Sequence, residues 1–480
     1  MTTSNGSKGY SYLAAAIVVA AALVSTSLLV APMESSKTST VTAESTVSTT
    51  VTLPASTITD MRNVTTIILS TTTVTVTTTP PVCVAPVCQV TTPLCSTSVV
   101  AADAKANAPA PSPTTVAPSG EADATNSSSE RKTLSAAGRI WMFYTDGCNV
   151  LYQSSADGAT WSSPTVARGG IERGWFFTVA QNGTTVYMVV SASDGSTGGK
   201  ITYRYGTMLS NGTIAWSISE EDLPYNGSAA TVPTVALDSS GNVWIAIEDF
   251  SGAGATPGTA PGGSAGDREI HVFRSAGPGA WSDVFDIGGL TDYPRPILLP
   301  LTQGKMALEV LTETPGYRMV SLYTTTNGAT WTPPVTTPSD DVLTLSAVAV
   351  GDTVYSVTTD TSSNVFFWTF PYGASSFSGP TPLATCCSGS YNDAVISTDG
   401  ASSLLVAYSN SNDVVVQTSS DLGSSWSLPT TLATTEFSIQ PGSLATAYLG
   451  SGTAPIFWTA ASASTSSAAE FSIRYASASY

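Results

Sequence analysis

Histidine is almost missing from this chain: His271 is the single one in 480 residues. A site built from several histidines is thereby excluded, and a histidine–cysteine metal site is not expected, since zinc centres gather several clustered ligands. Charge is also scarce, at 11% of residues, and it is lopsided, with 17 Lys and Arg against 34 Asp and Glu for a net charge of −17. Such an acidic surface argues against nucleic acid and against an anionic membrane face as partners. Cysteine is limited to six, three early in the chain (Cys83, Cys88, Cys95) and three late (Cys148, Cys386, Cys387). Large hydrophobic residues are nearly absent from residues 34–130, where Thr, Ser, Val, Ala and Pro dominate. A segment of that composition has too little apolar surface to bury a core, so it reads as a disordered or extended stalk.

What precedes the stalk is the reverse. Tyr10 to Val30 is apolar throughout and follows Lys8, long enough to span a bilayer with the remainder outside the cell. An uncleaved anchor, a cleaved signal segment and a pilin-like leader cut after Gly9 all fit residues 1–33. Asn-x-Ser/Thr sequons at Asn63, Asn126, Asn182, Asn211 and Asn226 suit an exported glycoprotein. So does a disulfide joining Cys148 to Cys386 or Cys387. Localisation at the cell surface is expected, or secretion if the segment is cut.

From residue 131 to 480 the sequence repeats. Ser419, Asp421, Gly423, Ser425 and Trp426 form the fullest copy of a Ser-x-Asp-x-Gly-x-Ser-Trp turn. Ser155, Asp157, Gly158 and Trp161 repeat it one residue tighter, and Asn327, Gly328 and Trp331 keep it with Asn for Asp. Decayed copies end at Trp216, Trp281 and Phe377, so the marks recur about every 46 to 65 residues, the period of propeller blades. Asp or Asn bonds to backbone amides a few positions on, Gly permits a tight turn, and the Trp plugs the hairpin onto a core. Strand signals between the marks predict an all-β propeller of four-stranded antiparallel blades, seven by this reading with six as the alternative.

The turns resemble the Asp-box, or BNR, repeat of the sialidase superfamily, and the resemblance covers residues 131–480. The stalk and leader resemble those of archaeal surface proteins. The sialidase resemblance implies a box on the face opposite the ligand site, three arginines that grip a sugar carboxylate, a Tyr–Glu nucleophile pair and an Asp acid/base. Carried onto this sequence, Arg173, Arg295 and Arg318 would form the triad, with Tyr293, Glu313 and Asp292 beside them. The family's Phe/Tyr-Arg-Ile-Pro signature is incomplete: Arg295 follows an extra Pro, and Arg139 in the first repeat has none after it. Trp175, Tyr391, Asp393 and Phe250 fall near the same face and offer rings for stacking on sugars and a carboxylate. No cofactor is expected, with calcium on oxygen ligands such as Asp249 or Asp393 as the alternative. The sequence thus points to a surface-displayed binding or adhesion protein for glycans or a surface-layer partner. An exo-glycosidase of the sialidase type is the rival, and a pilus-like subunit with a propeller head a third reading.

Overall fold

The computed structural model describes residues 113–480, apart from 120, 123, 170–175, 193–199, 226–229, 251–267, 278, 315–316, 339–340, 386–392, 411–412, 435–438, 440–442, 451 and 462–470. The apolar run Tyr10–Val30 and most of the stalk lie outside these residues. Among the described residues, no helix is long and apolar enough to cross a membrane.

The described residues form one compact unit, a seven-bladed all-β propeller. Blade 1 comprises β2 (Thr133–Ala136) to β5 (Thr165–Gly169), and blade 2 runs from β6 (Phe177–Asn182) to β10 (Glu221–Asp222). Blade 3 runs from β11 (Ala230–Leu237) through β12 (Val243–Phe250) and β13 (Arg268–Ser275) into β14 (Trp281–Pro300). The same β14 continues as the innermost strand of blade 4, completed by β15 (Met306–Thr314), β16 (Tyr317–Thr325) and β17 (Val335–Thr336). Blade 5 spans β18 (Val342–Val350) to β21 (Ser378–Ala384), and blade 6 β22 (Ala394–Thr398) to β25 (Thr430–Ala433). Each innermost strand touches the next around the ring.

Blade 7 closes the circle. Its strands β26 (Ala445–Thr446), β27 (Thr453–Ala461) and β28 (Phe471–Ser479) are joined by β1 (Thr114–Ser119), which pairs antiparallel with β28 from Thr114 opposite Tyr475 to Ser119 opposite Phe471. The domain therefore starts before residue 131. The expected stalk boundary is corrected because Thr114–Ser119 has β-forming residues and an open sheet edge to complete.

Seven clusters of buried side chains lie between successive blades, one per interface. Trp141, Val150 and Phe177 join blades 1 and 2, and Leu345, Trp368 and Leu311 join blades 4 and 5. An inner strand such as Val243–Phe250 is consequently apolar on both faces, since it has a neighbouring blade on each side.

The three clearest repeat turns share one hydrogen-bond pattern, each between the third and fourth strands of its blade. Asp157 Oδ1 accepts from the amides of Ala159 and Thr160 at 2.8 Å, and Asn327 Oδ1 does the same for Ala329 and Thr330 at 2.8 and 3.0 Å. Asp421 Oδ1 accepts from the Ser425 amide at 2.8 Å. Their tryptophans do not plug their own blade, as expected from sequence, but the blade before. Trp161 packs edge-on to Phe457 and Tyr475, Trp331 to Trp244, and Trp426 to Phe367. The turn glycine follows: at Gly423, with φ of 88°, a Cβ would stand 2.3 Å from the Phe367 ring. Gly351 has a similar φ of 62° and open space around it. In urea denaturation, Gly351→Ala should cost about 1 kcal/mol from backbone strain alone. Gly423→Ala should cost about 1 to 3 kcal/mol more from the overlap; equal losses would show that the turn does not latch the blades.

Candidate functional site on the propeller axis

Innermost strands start on one face of the ring, the face opposite the repeat turns, and the site is built where they converge. Between β1 and β2 the chain runs through eight consecutive polar residues, Thr125–Lys132, of which all but Asn126 and Arg131 are at most 5% exposed. They are buried because they lie on the axis. Thr125 donates to the Ser443 carbonyl of the blade 7 approach at 2.6 Å, and Ser128 to the Leu345 carbonyl of blade 5 at 3.4 Å. The Arg131 amide donates to Thr178 Oγ1 of blade 2 at 3.1 Å, while its guanidinium reaches the Ala347 carbonyl of blade 5. The Phe143 amide of blade 1 donates to the Lys132 carbonyl at 2.8 Å. Blades 2 and 5 stand three steps apart in a ring of seven, so one short segment bonded to both must cross its centre. Asn126, one of the five sequons, belongs to this segment.

Below the segment, toward the face of the repeat turns, a cavity of ≈310 Å³ is lined by Arg131, Leu134, Val179, Val235, Ile297 and Tyr448 among others. Above and beside it sits a cluster of buried charges. Lys132 Nζ lies 2.9 Å from Glu130 Oε2 and 3.9 Å from the centre of the Phe177 ring, and burial nevertheless pushes the Glu130 carboxyl up to about 7. Arg295 is part-buried and donates to Ser127 Oγ at 3.4 Å; burial lowers its pKa, and the charges of Asp393, Glu248 and Glu130 offset only part of that fall. Arg268 is ion-paired to Glu248, both buried.

The residues singled out from sequence divide as follows. Arg295 and Arg318 lie close enough for the Arg318 charge to act on Arg295. Backbone register puts Thr291, Glu313 and Arg318 side by side at the entry end of blade 4, with Asp292 and Tyr293 in the irregular stretch of β14 before Arg295. Asp393 is fully buried: its Oδ2 accepts from the Leu444 amide at 2.7 Å, tying blade 6 to blade 7, and burial pushes its carboxyl up to about 7. That position makes it a structural carboxylate beneath the face, with no exposed surface to offer a ligand. Phe250 ends β12 opposite Arg268. Arg173, Trp175, Tyr391, Cys386 and Cys387 lie outside the described residues, and Cys148 is exposed and makes no disulfide among them. Reasoning from sequence missed Glu130, Arg131 and Lys132. Their signal was a run of three successive charges in a chain with only 11% charged residues.

No protein-family model matches the chain, and no curated protein sequence matches it either. Solved structures do. The BP39L lectin from Burkholderia pseudomallei superposes with a TM-score of 0.51 at 12% identity, over 69% of this chain and 92% of the lectin. A sialidase from Trypanosoma rangeli gives a TM-score of 0.44 at 9% identity, over 66% of this chain and 56% of the enzyme. The polysaccharide lyase Uly1 gives 0.45 at 11%, over 72% of this chain and 90% of the lyase. At such identities the likeness to the lectin is one of fold.

The buried acids set a pH dependence. A carboxyl whose pKa is raised on folding keeps its proton in the native state where the unfolded chain has lost it, so its contribution to stability falls as pH rises from about 4 to about 7 and is level above. Urea midpoints should decline across that window, and Asp393→Asn should flatten the decline by on the order of 1 to 3 kcal/mol. An unchanged slope would show that Asp393 is ionised throughout.

Proposed function

We propose that this chain is an extracellular binding protein that presents the entry face of its propeller to glycans, displayed by the N-terminal apolar run and the Thr-rich stalk. One observation carries the choice of binding over hydrolysis. Arg295, one of the three arginines of the expected triad, is part-buried and donates to Ser127 Oγ of the axial segment at 3.4 Å, so the chain's own polar segment stands where a sugar carboxylate would have to reach it. The propeller fold that a lectin uses supports the same reading.

The exo-glycosidase reading rests on the grouping of Asp292, Tyr293, Arg295, Glu313 and Arg318 at the entry end of blade 4. A tyrosine needs a neighbouring carboxylate to accept its proton before it can attack a sugar, and Glu313, in register with Thr291 two residues before Tyr293, is the candidate. A glycan array and a panel of fluorogenic glycosides, sialosides included, separate the two. Retention on the array without turnover is expected from the purified protein. Turnover that disappears in Arg295→Ala would replace the binding reading with the enzymatic one.

A further inference from the structure

The one histidine of the chain stands among four carboxylates. His271 lies on β13 of blade 3, with Asp249 on β12, Glu269 two residues before it, and Asp283 and Asp286 on β14. Its two ring nitrogens face different surroundings. Nδ1 is 2.8 Å from Asp286 Oδ1 and 3.2 Å from Asp283 Oδ2, both hydrogen-bonding distances. Nε2 is 3.5 Å from Glu269 Oε2 and 3.8 Å from Asp249 Oδ2, too far for good hydrogen bonds. An ion about 2.0 to 2.2 Å from each of its ligands in tetrahedral geometry holds those ligands roughly 3.3 to 3.6 Å apart. The gaps around Nε2 are near that spacing, and the three ligand atoms lie within 4.8 Å of one another.

A second observation points the same way. Asp249 is only 5% exposed, yet its Oδ1 accepts no hydrogen bond. Beside it the buried Tyr225 hydroxyl lies against the Asp249 carboxylate without a well-formed hydrogen bond, and the Tyr225 ring is edge-on to the imidazole at 5.8 Å. Leaving such oxygens unmatched is costly unless a ligand satisfies them. Even a protonated imidazole supplies one positive charge against four negative ones, so the cluster is short of cationic charge.

We propose that His271 Nε2, Asp249 and Glu269 bind a divalent transition-metal cation through nitrogen and oxygen, zinc fitting best. Asp283 and Asp286 hold the Nδ1 proton, which fixes the tautomer and turns the Nε2 lone pair to the ion; this carboxylate–histidine–metal arrangement strengthens the ligand. Hard cations such as calcium take six to eight oxygens and have no preference for an imidazole, so the donor set selects against them. Asp249 and Glu269 are paired in register where β12 and β13 meet at the entry face. The bound ion therefore ties the two strands together there. The inference does not rest on the reading of the face as a glycan site.

Calorimetric titration of the chelator-treated full chain with Zn²⁺, Mn²⁺ and Ca²⁺ tests it, with Co²⁺ absorption as a second readout. One Zn²⁺ per chain is expected at this site, lost in His271→Gln and in Glu269→Gln and weakened about tenfold or more in Asp286→Asn. The Co²⁺ form should show the bands of a tetrahedral nitrogen–oxygen site without thiolate charge transfer. Because Glu269 is partly exposed, its variant keeps the test meaningful if His271→Gln does not fold. Zn²⁺ binding that survives both variants, thiolate bands alone, no saturable binding, or Ca²⁺ taken up as tightly as Zn²⁺ would each overturn the proposal.

Discussion

A polar segment can be buried only where its hydrogen-bonding groups find partners, and the axis of this ring supplies many of them. Thr125, Ser128, Arg131 and Lys132 make hydrogen bonds to Ser443, Leu345, Thr178 and Phe143, on the blade 7 approach and on blades 5, 2 and 1 in turn. The same residues then fix where charge can go: Glu130 and Lys132 pair with each other, and Arg295 and Asp393 settle around the segment. The closing strand β1 and the axial segment are continuous, so one stretch of chain both completes blade 7 and ties the blades at their centre.

Around this hub the blades hold one another more than they hold themselves. Hydrophobic side chains cluster between blades, and each clear repeat turn sends its tryptophan backward onto an aromatic of the preceding blade. The spacing of the turns is thus a record of interfaces. Removing one turn would loosen two blades.

Much of this was legible in the sequence and some was not. Asp157, Asn327 and Asp421 revealed their turns because a short polar side chain, a glycine and an aromatic at fixed offsets have few other uses. Blade order followed from strand runs such as Val243–Phe250. Thr125–Lys132 stayed hidden because composition cannot distinguish polar residues that water solvates from polar residues that the ends of several blades solvate. Asp393 was recognised as a residue of the entry face, while its burial against Leu444 depended on the packing of blades 6 and 7, which no local pattern encodes. The cluster at His271 was likewise invisible, since its carboxylates come from three strands brought together only by pairing.

The functional reading inherits this architecture: a closed hub leaves recognition to the rim of the entry face. The account stands or falls on the axial segment, and amide hydrogen exchange measures it directly. Residues 124–132 should exchange as slowly as the inner strands β6 and β18, protected until the ring itself opens. Exchange within seconds, at the rate of an unfolded stalk, would contradict the account and return these residues to the linker.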